Sequence, residues 1–193
     1  MNSGIFEGLK FSYQQSIQLF FVVWDLETGI LLHSLEGHTD RVTAVEITPD
    51  GKQIVSGSSD KTIKVWDLQS GHLLCSLEGH TGSVSDVAIT PDGEQIVSGS
   101  DDETIKVWDL QSGHLLRSLE GHTGSVLTVA VTPDGKQVVS RSSNNTISVW
   151  TLASGESQTL FQNSSIILCL ATDGHWLVCG DEEGHVWIFE WMK

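Results

Sequence analysis

Basic residues are scarce in this chain: 10 Lys and Arg stand against 25 Asp and Glu, a formal net charge of −15 over 193 residues. Such a surface repels phosphate backbones and anionic lipid, which removes nucleic acid and membrane surfaces from the expected partners. Cysteine is nearly missing too. Cys75, Cys169 and Cys179 form no CxxC pair and no regular spacing. Neither a disulfide framework nor a zinc site is expected, and the thiols read as reduced intracellular cysteine. Long hydrophobic runs are absent near the start, where the apolar run Ile17 to Trp24 is short and broken by Gln18. That is too little to span a bilayer, and neither a basic segment nor a small-residue cleavage site accompanies it. The run reads as a β-strand, and a cytoplasmic location is expected. With 39% apolar residues, the chain is long enough to bury the core of a single soluble domain.

Catalytic signatures are lacking as well. There is no GxSxG elbow, no HExxH, no phosphate-binding glycine loop and no Cys/His pair set for nucleophilic work. The acidic stretches "SDDE" (100–103) and "DEEG" (181–184) lack the alternating oxygen ligands of a calcium loop and read as solvated turns. The histidines that recur every 42 residues, His38, His80 and His122, fall in separate units without the further ligands of a tetrahedral metal set. His72, His114, His175 and His185 are expected at strand starts or turns, in solvent. No metal, no cofactor and no catalytic residue is expected.

What the chain has is repetition. Trp24, Trp66, Trp108 and Trp150 are 42 residues apart, and so are the pairs Gly37-His38, Gly79-His80 and Gly121-His122. Residues 66–107 and 108–149 are identical at 31 of 42 positions, and 24–65 and 66–107 at 30 of 42. A fixed period of this length signals a repeat architecture. Within each unit an apolar alternation ("RVTAVEIT", "SVSDVAIT") leads to a "PDG" turn, where Pro fixes φ and Gly accepts a positive one. "QIVSGS" follows as a second strand. A polar turn ("SDK", "DDE") then leads to "TIKVWDL" and "QSG" to "HLLCSLE", in β-favouring residue types. Four short strands per unit and no helical period make each unit one blade of an all-β propeller.

With Gly-His and Trp-Asp at this spacing over nearly its whole length, the chain resembles the WD-repeat β-propeller family, and in particular its bacterial multi-repeat members. The resemblance implies a buried chain of four side chains per blade: His38, Ser56, Asp60 and Trp66; then His80, Ser98, Asp102 and Trp108; then His122, Ser140, Asn144 and Trp150. Carboxylate, imidazole, hydroxyl and indole satisfy one another in such a chain. Asn144 stands where the family carries an aspartate and cannot supply the charge-assisted bond, so the third blade is expected to be weaker. The resemblance also implies a partner-binding face, carried by Arg41, Thr43 and Ser59, then Ser83, Ser85 and Asp101, then Ser125, Leu127 and Ser143. The units differ among themselves at most of these positions while Trp, Gly-His and "TPDG" stay fixed, as positions not held by packing do.

The ends decay. Aligning residues 183–189 on "DKTIKVW" puts Phe189 at the tryptophan position and Cys179 at the serine position, with "FQNSS" in place of a Gly-His motif. The domain plan is an extension over 1–16 followed by blades over 17–193, in units near 24–65, 66–107, 108–149 and a degenerate 150–193. About four blades result if Ile30–Leu35 returns to complete a C-terminal three-stranded unit. Propellers with seven blades turn roughly 50° per blade, so four blades describe about half a ring. Three outcomes are open: a strained four-bladed ring, a pairing of two copies into about eight blades, or a partial propeller whose missing blades were lost or lie in another chain. A dimer is favoured because near-identical repeats are already built to pack on one another. The function expected is a non-catalytic protein-interaction scaffold or sensor module with a protein partner. Its alternatives are a propeller enzyme or small-ligand binder using the central channel, and a degenerate fragment without selected activity.

Overall fold

The computed structural model describes residues 20–190. The extension expected over 1–16 and the opening residues 17–19 of the first strand lie outside them. All regular structure among the described residues is β, in 17 strands. Strands β1 (Phe20–Trp24) and β2 (Leu31–Glu36) pair as a two-stranded sheet. Three four-stranded antiparallel sheets follow in chain order. The first holds β3 (Val42–Ile47), β4 (Gln53–Ser58), β5 (Ile63–Asp67) and β6 (Leu73–Leu77). The second holds β7 (Val84–Ile89), β8 (Gln95–Ser100), β9 (Ile105–Asp109) and β10 (Leu115–Leu119). The third holds β11 (Val126–Val131), β12 (Gln137–Ser142), β13 (Thr146–Thr151) and β14 (Ser157–Gln162). A three-stranded sheet of β15 (Ile167–Thr172), β16 (Trp176–Asp181) and β17 (Val186–Glu190) ends the series.

Each four-stranded sheet is a blade, and the turn chemistry in the sequence makes it one. Pro-Asp-Gly joins the first two strands, with the Asp50 carboxylate accepting from the Thr48 hydroxyl and the Lys52 N–H while Gly51 takes φ +70°. That left-handed backbone is what glycine tolerates and other residues resist. The strands are apolar on both faces because a blade is covered on both sides. Ile54 faces the sheet before it and Val55 the sheet after it, with exposures of 6% and 0%. Between blades run continuous apolar layers: Val55, Ile63, Val65 and Leu77 of one blade against Val84, Val87, Ile96 and Trp108 of the next. The same positions meet again between the second and third blades and between the third and the last. The first strands β3, β7, β11 and β15 stand side by side along the inner edge of the stack.

The stack is not closed into a ring. Strand β2 pairs with β1, not with β17, so the C-terminal sheet has three strands rather than the four expected from a returning Ile30–Leu35 segment. The physical reason is local. The turn between β1 and β2 is closed by Asp25 N–H donating to the Ile30 carbonyl and by the Asp25 carboxylate capping Thr28. A short loop of this kind is closed at far less entropic cost than a return across the whole chain.

Candidate functional site

In the first blade His38, which ends the approach to β3, reaches across the sheet. Its Nδ1 donates to Asp60 Oδ2 at 2.8 Å, and its Nε2 accepts from the Ser56 hydroxyl at 2.8 Å. Trp66 Nε1 in turn donates to Ser56 Oγ at 2.8 Å. The second blade repeats the arrangement: His80 to Asp102 and Ser98 at 2.8 Å each, and Trp108 to Ser98 at 2.9 Å. All of these serines, histidines and tryptophans are buried. Burial, with a smaller push from the Lys64 and Lys106 charges, pulls the imidazoles of His38 and His80 below their ordinary pKa, and the neighbouring carboxylates oppose it. Burial would raise Asp60, but donors from Thr62, the Thr39 backbone and His38 hold it at about 2. Asp102 is held low in the same way by Thr104, Thr81 and His80. The relay is therefore a neutral imidazole between a carboxylate and a hydroxyl. It satisfies buried donors and exposes no reactive atom.

In the third blade His122 Nε2 accepts from Ser140 and Trp150 Nε1 donates to the same oxygen, both at 2.7 Å. Asn144 is not brought to His122. Its Oδ1 accepts from Thr146, and its Nδ2 donates to the Thr123 hydroxyl at 2.8 Å. His122 Nδ1 is left with the Thr146 hydroxyl at 3.3 Å, and burial takes its pKa down to about 4. The last blade is rewired. Cys179 and Phe189 occupy the serine and tryptophan register positions, opposite Leu170 and Leu177. The polar centre moves to Asp181, which is buried and accepts from Asn163 at 2.9 Å and His185 at 3.1 Å.

Of the nine expected face residues, Arg41, Ser59, Ser83, Asp101 and Ser85 are joined in one hydrogen-bonded series across the first two blades, and Ser125 is joined to Ser143 within the third. Ser83 donates to Ser59 across the first blade boundary at 3.1 Å, and the Thr43 hydroxyl donates to the Val84 carbonyl of the next blade. Ser85 donates to Asp101 at 3.4 Å within the second blade. The Arg41 and Ser125 carbonyls accept from the Ser59 and Ser143 N–H groups, and Arg41, Asp101 and Ser143 are exposed. A feature that sequence reasoning missed unites three of them. The pairing of the first strand slips by one residue at Thr43, at Ser85 and at Leu127, and again at Leu168 in the last blade. A β-bulge leaves one residue unpaired and re-aims its side chain. Two further residues were missed. Asp86 accepts from its neighbour Val87 N–H and, across the blade boundary, from Val129 N–H at 3.0 Å, while burial raises its pKa. Arg141 donates to the Ile167 carbonyl of the last blade. The signal for both was a break in the repeat: Ala44 and Thr128 match Asp86, and Gly57 and Gly99 match Arg141.

Comparison with known proteins agrees with this geometry. The family model described as "WD domain, G-beta repeat" matches residues 29–67, 71–109 and 113–151, more than half of the chain. The chain is 49% identical over 43 residues to a guanine nucleotide-binding protein subunit beta of Saccharomyces cerevisiae, covering 22% of this chain and 10% of that protein. It is 40% identical over 42 residues to the protein groucho of Drosophila melanogaster, covering 22% of this chain and 6% of that protein. It is 44% identical over 43 residues to autophagy-related protein 16 of Arabidopsis thaliana, covering 22% of this chain and 8% of that protein. Each match is one repeat long and spans a small fraction of the relative. Repeat motif, blade construction and family model converge: the chain belongs to the WD-domain, G-beta repeat family.

Proposed function

We propose that this chain is a non-catalytic protein-interaction module whose partner rests on the face formed by Arg41, Thr43, Ser59, Ser83, Ser85, Asp101, Ser125, Leu127 and Ser143. Members of the family are typically scaffold or interaction proteins, and the family is generally non-catalytic. The observation that carries the reading is the bulge. In each four-stranded blade it takes a residue that varies between repeats, Thr43, Ser85 or Leu127, out of the pairing pattern, and in the second blade that residue bonds the exposed Asp101. Repeats that preserve their packing residues and vary their bulge residues have freedom for recognition where the fold makes least demand. Arg41 is the only basic side chain of the nine and suits an acidic or aromatic contact.

The test is a triple replacement of Arg41, Asp101 and Leu127 by alanine. Surface changes of this kind stay within about ±0.5 kcal/mol each, so the thermal melt by circular dichroism is expected to be unchanged. Capture of protein partners from the native lysate is expected to fall sharply, since a few side chains dominate an interface. An unchanged melt with unchanged capture would remove this face from the reading.

A further inference from the structure

The two ends of the stack expose opposite halves of an interface that the molecule makes repeatedly within itself. On the C-terminal sheet, Val186 and Ile188 are 65% and 64% exposed. Their repeat counterparts Ile63 and Val65 of the first blade, and Ile105 and Val107 of the second, are at most 3% exposed, covered by the following blade. Ala171, Trp176, Val178 and Ile188 line a groove on this bare face. On the first blade, Val45 and Ile47 of β3 are 55% exposed each, whereas Val87 and Val129 at the position of Val45 are 4% and 5% exposed, covered by the preceding blade. The sheet β1–β2 covers only the outer part of that surface, through Phe21, Val23 and Leu35 against Ile54 and Trp66. It supplies the third and fourth strands of a blade: Trp24 sits at the tryptophan position yet is 52% exposed, where Trp66, Trp108 and Trp150 are 1%.

We infer that two copies of this chain join head to tail at both ends. In each junction β15–β17 of one copy seats on the first blade of the other and takes that copy's β2 as its fourth strand, in the place β1 holds in the single chain. Continuity with the interblade interface identifies the occupant. The first blade shares 30 of 42 residues with the second over the Trp-to-Trp units, and the surface that receives a blade inside the chain is the surface left bare at its start. Register agrees. Strand β1 meets β2 with Val22 opposite Ser34, as β5 meets β6 with Lys64 opposite Ser76, and Trp187 is the residue of β17 equivalent to Lys64, since both lie opposite the serine-position residue, Cys179 or Ser56. Val186 and Ile188 then stand where Phe21 and Val23 stand now. Strand β17 gains the place because it brings β15 and β16, which cover Val45 and Ile47 as β1 cannot. Two four-bladed arcs make eight blades, within the range that propellers close.

The experiment is light scattering on the purified chain, with a cross-link to locate the contact. A mass of twice 21.0 kDa is expected. Ile188→Glu, a change at an exposed position that leaves each chain folded, is expected to weaken the dimer at least about tenfold by placing a charge in the junction. Mixing a Ser34→Cys chain with a Trp187→Cys chain under mild oxidation is expected to give a mixed disulfide dimer, which neither chain forms alone. A chain lacking residues 1–24 is expected to remain dimeric. A stable monomer, a dimer indifferent to Ile188→Glu, or a dimer without the mixed disulfide would each overturn the assignment.

Discussion

A single hydroxyl carries the polar interior of each complete blade. Ser98 donates to His80 and accepts from Trp108, so the imidazole, the indole and the serine are all satisfied without water. Among the described residues no buried side-chain nitrogen or oxygen lacks a hydrogen-bond partner. Removing one member strands the others. Trp108→Ala is expected to cost about 3–5 kcal/mol, the range for truncating a buried aromatic, and Asp102→Ala about 1–3 kcal/mol by leaving His80 Nδ1 without its acceptor; urea midpoints check both. The third blade adds a pH dependence. His122 has a folded pKa of about 4, below its ordinary 6.5, so the unfolded chain binds a proton that the folded chain refuses between those values. Stability is therefore full above about pH 6.5 and falls as the pH drops towards 4. Asn144→Asp restores a carboxylate beside His122 Nδ1 and raises the folded pKa, so the same acid titration of the urea midpoint is expected to be shallower. An identical slope in parent and variant would show that His122 is not the group responsible.

At the scale of strands and blades, close approach sets the constraint. A Cβ on Gly99 would lie 2.7 Å from Val126 Cγ1 of the next blade, and one on Gly57 equally close to Val84 Cγ1. Gly99→Ala is thus expected to cost about 1–3 kcal/mol through overpacking, read as a lowered urea midpoint with an unchanged slope. Most of this level was legible in the sequence, because most turns within the repeats carry residues with one conformational use. Pro49-Asp50-Gly51 turns β3 into β4, and the alternation in "SVSDVAIT" predicts β7. The four-residue relays were legible only through the family resemblance, since no spacing rule places His38 beside Ser56 and Asp60. The bulges at Thr43, Ser85 and Leu127 carry no residue signature. A slip of one residue is a property of the pairing between two strands, which the spacing within either strand does not encode. The place of Ile30–Leu35 was conditional in the sequence, on a return to the C-terminal sheet, and within a single chain the Asp25–Thr28 cap keeps it in the local hairpin instead.

For the whole molecule, charge and apolar surface pull in opposite directions. Each chain carries −15, and two chains brought together repel over the distance that salt leaves unscreened, about 10 Å at 0.1 M ionic strength. The surfaces assigned to the junction are nevertheless apolar: Val45 and Ile47 on one side, Val178, Val186 and Ile188 on the other. An assembly held by ion pairs would loosen as salt rises. One held by apolar burial against a background of like charge would tighten, because screening removes the repulsion and leaves the burial intact. Raising sodium chloride from about 20 to about 200 mM, which shortens the screening length by roughly threefold, is therefore expected to lower the dimer dissociation constant several-fold in sedimentation equilibrium. A constant that rises with salt would place ion pairs, not the bare blade faces, at the contact between copies.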